Sequence, residues 1–105
     1  MEKDAWTIKE VIEILHVDQK LVTTLEQEDI ITLITDETGR EKLLPGREID
    51  KIRVARILIE EMDINLPGVE VILRMRQNMI DMRRQFDDIL EDLARELRKR
   101  IVQRP

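Results

Sequence analysis

Apolar residues in the last third of the chain fall at Ile72, Met75, Met79, Met82, Phe86, Leu90, Leu93, Leu97 and Ile101. Steps of three and four hold these positions on one side of an α-helix, so residues 65–102 are predicted as one long helix. Asn65 has the chemistry of an N-cap, and Pro67 falls in the first turn, where a missing N–H does no harm. After Gly68 no glycine or proline interrupts the pattern before Pro105. At about 1.5 Å per residue the helix would be roughly 55 Å long, more than a domain this small can cover. Its far end needs a partner, and a second copy of the chain is the simplest.

The preceding residues change period several times. Thr7 and Glu10 have capping-box spacing, with Trp6 and Val11 spaced as a hydrophobic staple. Ile8, Val11, Ile12 and Leu15 then mark the inward face of a short helix ending near His16. Val17-Asp18 reads as a tight turn, with Asp18 capping a second helix through about Glu28 whose apolar positions are Leu21, Val22 and Leu25. Two short helices so joined read as a helix-turn-helix pair. Ile31 to Thr35 is strand-like, Asp36-Glu37-Thr38-Gly39 is a turn, and Arg40 to Leu44 is a returning strand, which together make a small two-stranded β wing. Pro45-Gly46 closes it. A third helix is predicted from about Glu48 to Met62, burying Ile49, Ile52, Ala55, Leu58, Ile59 and Met62. The fold predicted is mainly α, with a winged helix-turn-helix domain over residues 1–64 and a long C-terminal dimerisation helix over 65–105.

Composition narrows the class. With 105 residues, 42% of them apolar, the chain can build one small core with an extension. It has no cysteine, so no disulfide framework or thiolate site is available. With no signal-type apolar region and no apolar run near ~20 residues, neither secretion nor membrane spanning is expected, and the cytoplasm is. The net charge of −5 is uneven: residues 1–36 hold nine acids against three lysines, and the C-terminal end is basic at Arg98, Lys99, Arg100 and Arg104. An acidic globular end repels nucleic acid and attracts basic protein surfaces.

Candidate chemistry is sparse. His16 is the one histidine, and without cysteines it has no partners for a zinc or copper site. No Gly-rich phosphate loop and no nucleophile with a base at a recognisable spacing is present, so neither an enzyme nor a cofactor nor a small-molecule ligand is expected. Asp87-Asp88 and Glu91-Asp92 read as a solvated helix face partnered by residues such as Arg84 and Arg95. The methionines of the stripe could make an adaptable binding surface, but their continuation into Phe86, Leu90 and Leu93 favours a helix–helix seam. Trp6 and Phe86 are the only aromatic residues, too few for a single-strand stacking platform.

Helix-turn-helix, wing, helix and long terminal helix, in that order, resemble a MerR-type winged-helix regulator. The residues that carry the resemblance are Thr7-Ile8-Lys9-Glu10, Val17 at the turn, Glu26 late in the second helix, Ile30-Ile31 entering the wing, and Gly39 within it. DNA-binding members carry an arginine and a tyrosine in the second helix, where this chain has Leu21-Val22-Thr23-Thr24-Leu25. Their wing arginine is replaced by Glu41 of Gly39-Arg40-Glu41. Phosphate binding draws on cations that release counterions, and Lys20 is the only base of the second helix. DNA binding is therefore not expected, and a heat-shock-repressor-type DNA-binding regulator is the runner-up. The chain is also similar in length and acidity to CbpM-type chaperone modulators, including the Pro67-Gly68 element in Ile64 to Val69. That resemblance implies binding and inhibition of the J-domain of a DnaJ-like (CbpA-like) co-chaperone, whose basic helix a small acidic domain could cover.

On this reading Glu10, Glu13, Asp18, Glu26, Glu28 and Asp29, with apolar Leu21 and Leu25, form the partner-binding surface. Met75, Met79, Met82, Phe86, Leu90, Leu93 and Leu97 form the interface of an antiparallel homodimer. An assembly adaptor with an unrelated protein partner fits the same acidic surface.

Overall fold

The computed structural model describes residues 3–103, the last of them by its backbone alone. Glu2, Arg104 and Pro105, which entered the charge count and the helix boundary above, lie outside the described residues. Elements run in the order β1 (Ala5–Thr7), α1 (Ile8–Leu15), α2 (Gln19–Gln27), β2 (Ile34–Thr35), β3 (Lys42–Pro45), α3 (Gly46–Glu60) and α4 (Leu66–Gln103). The chain divides into two units, Met1–Leu73 and Arg74–Pro105, so the division falls inside α4. The first turns of α4 belong with the globular unit because Val69 and Leu73 are buried in its core.

The boundaries of the first two helices follow from local chemistry. The Glu10 amide donates to Thr7 Oγ1 at 3.1 Å, and the Thr7 amide donates to Glu10 Oε1 at 3.0 Å, which completes the capping box. His16 ends α1 in the left-handed region, at φ 55°. Asp18 caps α2 by accepting the Lys20 amide at 3.1 Å. At the other end of α2 the Ile30 amide reaches the Leu25 carbonyl at 2.9 Å and the Asp29 amide reaches that of Glu26 at 3.0 Å. Asp29 sits between them at φ 57°. This is a Schellman closure, with Ile30 as the buried apolar residue that follows the left-handed one.

The sheet departs from the expected two-stranded wing. It has three antiparallel strands in the order β1-β3-β2. Trp6 lies opposite Leu44 in one pair and Ile34 opposite Leu43 in the other. Three residues before a helix cap are too few to show a period; Ala5–Thr7 becomes a strand because β3 offers it a second edge. Conversely, Ile31 to Leu33 stays outside the sheet. Ile31 is buried in the core, and the Thr32 amide is taken by the Glu48 carboxylate at 2.8 Å rather than by a strand.

The core gathers around Val11, Val22, Leu25, Ile31, Leu44, Ile52 and Val69, all fully buried. Met62 is a correction: expected inside, it is 58% exposed. Helix α3 ends at Glu60, and beyond that point helical spacing no longer decides direction. The chain turns there at Asp63, with φ 57°, and the Ile64 amide closes onto the Leu58 carbonyl at 2.9 Å. Asn65 then accepts the Gly68 amide at 2.9 Å on its side chain, as expected of the residue that caps α4. A methyl group on Gly68 would lie 2.7 Å from Ile64 Cγ2, so this turn requires the bare glycine.

Candidate functional site

The helix-turn-helix pair is braced from α3. Arg56 reaches across to donate to the Leu15 carbonyl at 2.7 Å, satisfying an acceptor at the C-terminal end of α1 that the left-handed His16 leaves without a helical donor. With α1 and α2 fixed in this way, the outward side of α2 presents Gln19, Lys20, Thr23 and Gln27. The Thr24 hydroxyl turns back to the Lys20 carbonyl at 2.8 Å.

The residues predicted to bind a partner are distributed as follows. Glu26, Glu28 and Asp29 come together at the C-terminal end of α2, and Glu26 Oε1 lies 4.0 Å from Lys42 at the root of the wing. Asp18 lies at the opposite end of α2, with one carboxylate oxygen occupied as its cap. Glu13 is exposed on α1. Glu10 is engaged locally, by the capping box and by an ion pair with Lys3. Contact with the Lys3 ammonium, followed by the Thr7 amide, holds its pKa below the ordinary glutamate value. Leu25 is a correction. It is fully buried with Val22 in the core and offers nothing to a surface. Leu21 is half-buried and packs against the same core. In a helix of nine residues, the three apolar positions Leu21, Val22 and Leu25, within about one turn of one another, are all needed to hold it down.

Two carboxylates outside the predicted set organise the wing. Asp36 staples the turn: its Oδ1 accepts the Thr38 hydroxyl at 2.8 Å, the Arg40 amide at 3.1 Å and the Glu41 amide at 3.3 Å. These donors, the Thr38 hydroxyl foremost, lower its pKa. Gly39 completes the turn at φ 72°. Glu48 is 3% exposed. It accepts the Thr32 amide at 2.8 Å and the Lys51 ammonium at 3.1 Å, with the Arg47 guanidinium 3.6 Å away. Spacing could have placed it inward, because Glu48, Ile52 and Ala55 share one face of α3.

Along the second unit, the seven residues predicted for the seam, Met75, Met79, Met82, Phe86, Leu90, Leu93 and Leu97, are each between 47% and 69% exposed. Val71, Ile89, Ile101 and Val102 are exposed large apolar residues of the same helix. The polar side carries ion pairs one turn apart, Arg95 with Asp92 at 3.3 Å and Arg100 with Glu96 at 3.5 Å. The expected pairing of Arg95 is present; no ion pair joins Arg84 to Asp87 or Asp88 among the described residues.

Clefts open on the globular unit among the described residues. One, about 360 Å³, is lined by Trp6, Ile14, Ile49 and Arg53 among others; another, about 570 Å³ and more open, lies at the start of α4 over Ile64, Pro67 and Val71. Among the described residues no group of three or more histidine, aspartate or glutamate side chains is placed to hold a metal ion. No described helix is long and apolar enough to cross a membrane.

Two short helices joined by a tight turn, with a wing and a third helix packed on them, define a winged helix-turn-helix domain. Comparison with known families agrees: the chain matches the MerR HTH family of regulatory proteins over residues 6–95 and belongs to that family. No curated protein and no solved structure matches it.

Proposed function

We propose that this MerR-family chain is a non-enzymatic regulator that acts on protein rather than on DNA, by binding and restraining the J-domain of a DnaJ-like co-chaperone. The observation that carries the reading is the charge on the face where a winged helix-turn-helix domain would meet phosphates. Residues 18–29 and 36–42 together hold seven acids and three bases, and one of the bases, Lys42, lies beside Glu26. Binding to duplex DNA draws its free energy from cations, so this face opposes it.

The placement of the acids supports a basic protein partner. None of α1, α2 and α3 carries a base in its last turn. Carboxylates there meet the negative end of the helix dipole, an arrangement that local stability does not favour. Glu28 and Asp29 are exposed, and among the described residues no cation pairs with them, which leaves them for a partner. A basic helix, such as the one the CbpM resemblance implies for a J-domain, would be steered onto them, with charge governing encounter and selectivity more than total affinity. The exposed stripe of α4 supports a homodimer in the same reading.

Calorimetric titration with a J-domain from a DnaJ-like protein, at low and high salt, tests the proposal. Saturable binding that weakens with salt is expected. Absence of binding at high concentration, with retention of random duplex DNA instead, overturns it in favour of a DNA-binding regulator.

A further inference from the structure

Lysine and arginine are absent from two long stretches of the chain, residues 21–39 with five acids and residues 57–73 with four. The two differ in what accompanies the charge. Around the acids that end α2, the large apolar residues Val22, Leu25, Ile30 and Ile31 are all buried. In the second stretch Ile57, Met62 and Val71 are exposed, Val71 at 51%. Val71 also lines the open cleft at the start of α4, with Asp63, Ile64, Pro67 and Gly68. We propose that this cleft seats the apolar side of a basic amphipathic helix from a protein partner. The proposal rests on the reading of the chain as a regulator with a basic protein partner, and adds the surface that holds it.

The cleft is formed before any partner arrives. Asp63 turns the chain at φ 57°, and the Ile64 amide closes onto the Leu58 carbonyl at 2.9 Å. Asn65 accepts the Gly68 amide on its side chain and the Val69 amide on its carbonyl, both at 2.9 Å. Buried Val69 ties this turn to the core. A preformed wall spares a partner the cost of ordering it.

Shape and charge select the occupant. A small molecule binds where most of its surface is enclosed, and this cleft of about 570 Å³ is open. A helix laid in a groove buries one face only, which an open cleft can cover. Glu60 and Glu61 end α3, Asp63 stands in the cleft wall, and all three are exposed. With no base between Arg56 and Arg74, an acidic segment is repelled and a basic one attracted. The end of α2 offers charge alone, which governs encounter; the cleft adds apolar burial, which governs how long the partner stays.

Amide NMR tests the proposal, with the J-domain and with two synthetic amphipathic peptides, one of leucine and lysine and one of leucine and glutamate. The leucine-lysine peptide is expected to shift the Ile64, Gly68 and Val71 amides, and the leucine-glutamate peptide to leave them in place. Val71→Gln removes the apolar contact on an exposed helix position and keeps the charge. It should weaken binding of the leucine-lysine peptide about tenfold at low and high salt alike, chiefly through faster dissociation. Glu60→Gln, Glu61→Gln and Asp63→Asn together should weaken it about threefold at low salt and less at high salt; asparagine keeps the left-handed turn available. Unchanged affinity of Val71→Gln, or shifts confined to Glu28 and Asp29, overturns the proposal. A mass halved by Val71→Gln with peptide affinity unchanged overturns it in favour of a second copy in the cleft. A J-domain that fails to bind while the leucine-lysine peptide maps onto the cleft removes the chaperone reading and supports this one. J-domain binding with no shift at the cleft does the reverse.

Discussion

Glu48 shows how much a single buried carboxylate can hold in place. It joins the segment that enters the wing to the first turn of α3, through the Thr32 amide and Lys51. Replacing it with alanine removes the acceptor of the part-buried hydrogen bond from the Thr32 amide and leaves a half-buried lysine without its anion. Glu48→Ala is expected to lower unfolding stability by about 2–3 kcal/mol in urea, with an unchanged denaturant slope. Glu48→Gln, which keeps an acceptor, should lose less. Asp36 makes a prediction in pH. Its folded pKa is depressed by the donors of the wing turn, so its stabilising effect is fully present above its unfolded-state pKa and fades as pH falls through the lower folded value. In an NMR titration the Arg40 and Glu41 amide signals should move together, with a midpoint below that of an ordinary aspartate. A midpoint at the ordinary value would show that the staple is absent in solution.

At the scale of elements, the caps explain which parts of the fold can be read from the chain. Thr7 with Glu10, Asp18 and Asn65 announce helix starts because a capping interaction needs only neighbours three residues apart. Strand β1 has no such signal, since its reason for existing is the edge of β3, forty residues away in the chain. Leu25 was misplaced for a related cause: in so short a helix the same apolar residue can be assigned to the core or to a face, and packing settles it. The stripe of α4 is legible as one helical face because its nine apolar residues keep regular spacing over about eight turns. If that stripe holds two chains together, Phe86→Asp with Leu93→Asp should produce a monomer in light scattering while the helical signal of the globular unit persists. An unchanged mass would remove α4 from the interface. The partner of the acidic face was not legible in the same way, because carboxylates specify the sign of a ligand and not its identity.

For the whole molecule the decisive quantity is the distribution of charge. The proposed encounter with a basic helix depends on Glu28 and Asp29, which take part in no ion pair among the described residues. Glu28→Lys with Asp29→Lys is expected to weaken J-domain binding by about tenfold or more at low salt, and by less as salt is raised. The measurement is the affinity ratio of the two proteins at each salt concentration; a ratio of one throughout would place the contact elsewhere. A second consequence follows from the bare apolar side of α4. A helix whose other half is supplied by another molecule obeys mass action, so under the proposed pairing its stability rises with the logarithm of protein concentration. Dilution would loosen the extension while the winged domain, with its own core, stayed folded. The number of copies a cell makes would then act as a control in its own right: scarce chains would meet their target singly, and abundant ones in pairs.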